Sequence, residues 1–211
     1  MSGSQKRLEL HVNVFEKTEQ RALPLPSLTP PEFVEAILHE FRELEYLGDS
    51  PTDYRLLKGA DQLPLEAEEK LSQQIVNGER LVLVEEEAPL PSSTRRPTHP
   101  IYLREQVTGK VYKLHWLPAI VGRPDKNQAL NDQVAVDLER YKTGLRVSRR
   151  HVQITEKDGQ YFVHSLSRNP TSLKNSEGDM TPITEEKRPL HNGDIIHLER
   201  SNIALKFIIR Q

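Results

Sequence analysis

The sequence predicts two domains: an α+β unit in the N-terminal part, followed by an all-β sandwich. Three observations lead to that expectation. Helical apolar spacing is present before residue 90 and nearly absent after it. Between Glu85 and Pro100 the chain reads EEEAPLPSSTRRPTHP, and its prolines, serines and threonines without apolar periodicity predict a semi-extended linker over residues 88–100. Charge also changes sign across it. Residues 1–90 carry 9 bases and 18 acids, net −9, whereas residues 91–211 carry 20 bases and 13 acids, net +7. The expected boundaries are therefore 6–87, 88–100 and 101–211, and each flanking segment is long enough for a small core.

Composition narrows the function classes. The chain has 211 residues with a formal net charge of −2, 36% hydrophobic and 28% charged residues, as expected of a soluble globular protein. Apolar runs such as Leu81–Val84 are too short to enter a membrane, and the polar stretch Met1–Leu10 lacks a signal-peptide core. The sequence contains no cysteine, which excludes disulfides, thiol nucleophiles and thiolate metal sites and fits a reducing cytoplasm. The histidines show no ligand spacing, and no HExxH, GxSxG, Walker or GxGxxG motif occurs. No metal, cofactor or enzymatic activity is expected. The basic C-terminal half has few aromatics among its cations and no known reader motif, so nucleic acid is not the expected partner.

In the first segment Leu8, Leu10, Val12 and Val14 alternate with polar residues, predicting a half-buried strand. A polar turn over 17–20 and a second short strand over 22–25 follow. Thr29, Pro30 and Glu32 form a helix start with a capping-box pair. Phe33, Val34, Ile37, Leu38, Phe41 and Leu44 continue at helical spacing, and Gly48 can end the helix. A strand over 54–57, a helical turn over 66–74 and a last strand over 81–84 complete the segment.

This order, with the stretches RLLKGADQL and KLSQQIVNGERLVLV, resembles the ubiquitin-like β-grasp fold over residues 6–87. The ending NGERLVLV is most similar to small bacterial YukD-type ubiquitin-like proteins, a family associated with secretion-system membrane components. The last strand runs into Glu85, Glu86 and Glu87 rather than a free Gly-Gly end, so a docking module is expected, not a conjugating one. Matched to ubiquitin's strands, Leu56, Leu81 and Leu83 face the core. Leu57, Val82 and Val84 then fall on the opposite face, where the resemblance implies a protein-docking patch.

The second segment shows short strand patterns at 111–114, 119–121, 134–138, 152–155, 161–164, 195–198 and 204–209. Three clusters stand between them: Gly122-Arg123, then Val147-Ser148-Arg149-Arg150-His151, then Ser167-Arg168-Asn169-Pro170-Thr171. Asn192-Gly193-Asp194 marks a tight turn farther on. As an ordered set these resemble the forkhead-associated (FHA) domain over residues 101–211.

A phosphothreonine carries about −1.5 to −2 charge and three strong acceptor oxygens. Binding it calls for a guanidinium, a hydroxyl and an amide that holds the peptide backbone, and Arg123, Ser148, Arg149 and Asn169 supply those types. The resemblance implies that Arg123 and Ser148 contact phosphate with Arg149 as a third group, that Asn169 holds the peptide main chain, and that Gly122, His151 and Thr171 brace the loops. Arg168 stands where the family often has Ser or Thr, and either adds charge to the phosphate or points into solvent. Pro170 replaces the usual Gly and stiffens the backbone. The stretch 174–190 is longer than the usual turn. The expected function is a phosphothreonine-dependent adaptor in Ser/Thr-kinase signalling. Its partners would be a phosphorylated protein or the kinase, and a second protein held by the ubiquitin-like half. A phosphate-independent scaffold or a secretion-associated structural component is the alternative.

Overall fold

The structure, a computed structural model, describes residues 7–125 and 133–210. It divides into two units, Met1–Glu87 and Ala88–Gln211. In the first, strand β1 (Leu10–Val14) buries Leu10, Val12 and Val14, as the alternation predicts. Strand β2 spans Lys17–Ala22 and pairs antiparallel with β1. The expected turn at 17–20 is thus part of the strand. Phe15 adopts φ 55° and completes the reversal earlier, and an edge strand tolerates the polar sequence.

Helix α1 (Pro30–Glu40) buries Phe33, Val34, Ile37 and Leu38. The Glu32 carboxylate accepts the Thr29 N–H at 2.8 Å and its hydroxyl at 3.1 Å, and these bonds lower the Glu32 pKa. The helix stops at Glu40 rather than at Gly48. Leu44 and Leu47 follow in hydrogen-bonded turns that still bury both side chains. Strand β3 (Tyr54–Lys58), the short helix α2 (Leu71–Gln74) and strand β4 (Arg80–Glu85) complete the unit. The sheet order is β2-β1-β4-β3, with β1 and β4 parallel at its centre. Leu56, Leu81 and Leu83 are buried, while Leu57, Val82 and Val84 are half-buried at the alternate positions.

The second unit is an all-β sandwich. One sheet contains β7 (Ala119–Gly122), β8 (Val134–Asp137), β9 (Val152–Lys157), β10 (Gln160–Ser165) and β13 (Arg188–Leu190), in the order β13-β10-β9-β7-β8. The other contains β5 (Ile101–Glu105), β6 (Val111–Lys113), β11 (Thr171–Lys174), β12 (Met180–Pro182), β14 (Ile195–Leu198) and β15 (Ile203–Ile209), in the order β12-β11-β14-β15-β5-β6. Leu103, Val121, Ile154, Val163, Leu198 and Phe207 are among the fully buried side chains between them. The long stretch 174–190 is not one irregular turn: β12 pairs with β11, and β13 pairs with β10.

The Pro/Ser/Thr segment is held along this second unit. Arg95 and Leu117 exchange backbone hydrogen bonds at 3.0 and 2.8 Å. The Glu156 side chain is fully buried, and Arg95 reaches it at 2.7 Å. Thr98 N–H donates to the same carboxylate, and His99 N–H to the Tyr161 hydroxyl. A buried carboxylate needs a cation and donors, and this segment supplies them.

Candidate functional site

Strand β7 ends on Gly122, and the loop before β9 crosses directly over it. A Cβ at Gly122 would lie 2.8 Å from the Arg149 carbonyl carbon and 2.9 Å from the Ser148 carbonyl oxygen. Only a glycine permits that approach. It lets the Arg123 N–H donate to the Ser148 and Arg149 carbonyls, at 3.2 and 3.0 Å. Gly122→Ala is expected to destabilise the second unit by about 1–3 kcal/mol, because backbone would have to shift. A lowered urea midpoint checks it.

The Arg123 side chain is fixed by its Nε, which donates to the Val147 carbonyl at 2.6 Å. Its two Nη groups have no partner among the described residues. Ser148 and Ser167 Oγ lie 2.6 Å apart, Asn169 Nδ2 donates to Ser148 Oγ at 3.2 Å, and Asn169 N–H donates to Ser167 Oγ at 3.0 Å. Each hydroxyl therefore already accepts one bond, and one of them donates to the other. Whichever donates, one hydroxyl proton is left over among the described residues, together with the Asn169 Oδ1 acceptor. The other Asn169 Nδ2 hydrogen goes to the Arg146 carbonyl at 3.1 Å.

His151 joins the two loops from beneath. It is 1% exposed. Its Nδ1 accepts the Ser148 N–H at 3.1 Å, so the neutral ring carries its proton on Nε2 and donates to Thr171 Oγ1 at 3.0 Å. The Thr171 hydroxyl in turn donates to the Asn169 carbonyl at 3.2 Å. Burial pushes the His151 pKa down to about 4, so the ring is neutral at pH 7.

The structure thus brings Gly122, Arg123, Ser148, His151, Asn169 and Thr171 together. Arg149 is exposed and forms an ion pair with Asp125 at 3.3 Å. Arg168 is exposed and has no partner among the described residues. Sequence reasoning singled out neither Ser167 nor Arg146; a hydroxyl two residues before Asn169 was the available cue for the first. Leu57, Val82 and Val84 form a separate group in the first unit, where Leu57 and Val82 are register partners on β3 and β4. Among the described residues, no His/Asp/Glu group could hold a metal and no helix is long and apolar enough to cross a membrane.

A β-sandwich with hydroxyl, amide and guanidinium groups gathered in its loops defines a binding module. Residues 120–199 match the model of the FHA domain, and this part of the chain is an FHA domain. FHA domains are phosphopeptide-recognition modules rather than enzymes. No curated protein matches the chain. Among solved structures, the chain is similar to the FHA domain of human APLF in complex with an XRCC1 bisphospho peptide, at 21% identity. That match covers 52% of this chain and 97% of the other, with a TM-score of 0.40. A structure from an analysis of phosphothreonine-dependent FHA domain interactions matches at 22% identity, covering 53% and 98%, with a TM-score of 0.40. Mycobacterium tuberculosis EmbR in complex with a low affinity phosphopeptide matches at 21% identity, covering 53% and 24%, with a TM-score of 0.40.

Proposed function

We propose that the chain is a phosphothreonine-dependent adaptor of cytoplasmic Ser/Thr-kinase signalling. One observation carries the reading: among the described residues, the Arg123 Nη groups, a spare hydroxyl proton of the Ser148–Ser167 pair and Asn169 Oδ1 have no partner, within loops that are otherwise hydrogen-bonded to each other. In this reading Arg123 and Ser148 hold the phosphate, and Asn169 Oδ1 accepts a peptide main-chain N–H. Arg149 joins after releasing Asp125, and Arg168 adds charge from the rim. Charged hydrogen bonds contribute roughly 1.5–3 kcal/mol each. Phosphothreonine is preferred over phosphoserine by about fourfold, the value of one buried methyl group. The partner is a phosphorylated protein or the kinase itself. Selection from an oriented phosphothreonine peptide library tests this: enrichment of phosphorylated sequences supports it, and no enrichment over the unphosphorylated library contradicts it.

The first unit is proposed as a ubiquitin-like β-grasp module that docks a second protein. A helix following a hairpin, with a parallel central pair in the sheet order β2-β1-β4-β3, supports that reading. The docking face is Leu57, Val82 and Val84, half-buried where Leu56, Leu81 and Leu83 form the core. Leu57→Asp combined with Val82→Asp is expected to leave the fold intact and abolish capture of the second protein. Circular dichroism with a pull-down checks it, and unfolding of the double variant would return these residues to the core.

A further inference from the structure

In the segment that runs along the second unit, Thr98 is an exposed residue set directly beside the fully buried Glu156 carboxylate of β9. Its N–H donates to Glu156 Oε2 at 3.3 Å. Burial alone would raise the Glu156 pKa, but bonds from the Thr98 hydroxyl and N–H and from Arg95 hold it below the ordinary carboxylate value. Among the described residues, Arg95 is the cation paired with this carboxylate. Its Nη1 donates to Oε2 at 2.7 Å, and its Nη2 to the Glu156 carbonyl at 3.1 Å. Glu156 Oε1 is buried and has no hydrogen-bond partner among the described residues. The neighbouring Arg96 guanidinium is bonded elsewhere, to the His115 and Ala88 carbonyls. One buried carboxylate therefore depends on one arginine.

A phosphate on the Thr98 hydroxyl would bring about −1.5 to −2 charge to this place, and beside a carboxylate a phosphate disrupts by repulsion and desolvation. If Arg95 turns to the phosphate, Glu156 is left buried without its cation. If Arg95 stays, the phosphate faces the carboxylate unpaired. Both arrangements are strongly unfavourable. Both are relieved when the segment leaves the sandwich, breaking the Arg95–Leu117 backbone pair and the His99 bond to the Tyr161 hydroxyl. The sequence around Thr98 also suits a kinase. Arg95 and Arg96 stand three and two residues before it, a paired charge complementary to an acidic substrate groove. Both guanidiniums are bonded while the segment is seated, so the kinase meets them during local opening.

We propose that Thr98 is a phosphorylation site, and that its phosphate holds residues 94–99 off the sandwich by opposing Glu156. A Ser/Thr kinase transfers the terminal phosphoryl group of ATP to the Thr98 hydroxyl oxygen. ADP leaves, and the hydroxyl proton passes to the kinase's base. The site is separate from the Arg123, Ser148 and Asn169 loops and does not rest on phosphate recognition by them.

The test uses the full chain in two forms, one unmodified and one carrying phosphothreonine at position 98, incorporated during translation. The Arg95 and Leu117 N–H groups donate to each other's carbonyls, so their hydrogen exchange reports whether the segment is seated. Exchange at both is expected to be at least about tenfold faster in the phosphorylated form. Glu156→Gln keeps an acceptor and removes the charge, so the phosphate should accelerate exchange far less in that variant. The unmodified chain, incubated with ATP and the catalytic subunit of an arginine-directed kinase, is expected to gain phosphate on Thr98. Four results overturn the proposal: equal exchange in the two forms, equal acceleration in a normally folded Glu156→Gln chain, acceleration that vanishes in Arg123→Ala, or no phosphate on Thr98 after the kinase reaction. The third would show that the phosphate is drawn away by the Arg123 loops rather than repelled by Glu156.

Discussion

Replacing Arg123 by alanine is expected to weaken phosphothreonine-peptide binding at least about tenfold, the effect of losing ~1.4 kcal/mol or more of charged hydrogen bonding. The side chain is oriented before any ligand arrives, because its Nε is spent on the Val147 carbonyl at 2.6 Å. The Nη pair can therefore meet phosphate oxygens with little further loss of rotamer entropy. Arg123→Lys should not rescue the loss, since lysine cannot keep that anchor while reaching the phosphate. Ser148→Ala should lose a comparable amount, as it removes both a hydroxyl and an acceptor for Asn169 Nδ2. Fluorescence polarisation at fixed salt, on variants with unchanged urea midpoints, measures both. Wild-type affinity in Arg123→Ala would remove the guanidinium from the site.

The second large effect is acid sensitivity through His151. Its pKa is about 4 in the fold against an ordinary 6.5. Between those values the unfolded chain binds a proton that the folded ring refuses, so stability falls as pH drops through the window. The difference integrates to about 3 kcal/mol, fully present above about pH 6.5 and lost by about pH 4. His164 adds to the loss in the same direction, because burial and the nearby Lys187 lower its pKa too. The carboxylates Glu105 and Glu156, whose pKa values are lowered by their hydrogen bonds against the opposing effect of burial, lose their contribution at still lower pH. Protonated Nδ1 can no longer accept the Ser148 N–H, so peptide binding should fail along with stability. Urea midpoints across this pH range should slope downward in the wild type, and less steeply in His151→Ala, which starts from a lower stability.

Much of this was legible in the chain. The alternation Leu10, Val12, Val14 and the Thr29 and Glu32 capping pair follow from side-chain period and hydrogen-bonding type, while the split between Leu56, Leu81, Leu83 and Leu57, Val82, Val84 came from the match to ubiquitin's strands. The Gly122, Ser148, His151 and Asn169 cluster was legible because its ordered spacing between short strands resembles the FHA pattern, and Arg123, Ser148 and Asn169 are the donor types a phosphopeptide needs. What escaped was set by tertiary context. β2 is polar because it is an edge, so its sequence resembles a turn. Strands β12 and β13 are three residues each, too short for period-2 patterning to register. Nothing in RRPTHP announces that Arg95 will neutralise the buried Glu156, sixty-one positions away. Ser167 is an ordinary residue in the sequence, and only the fold brings its hydroxyl to 2.6 Å from that of Ser148.

Calorimetric titration of the full chain with one selected phosphothreonine peptide, alongside the same peptide unphosphorylated, tests the central claim most directly. The phosphorylated peptide is expected to bind with one site per chain at micromolar affinity, roughly −8 kcal/mol, and the plain peptide to give no saturable heat. Equal binding of the two would contradict a phosphate-reading function for the Arg123, Ser148 and Asn169 loops.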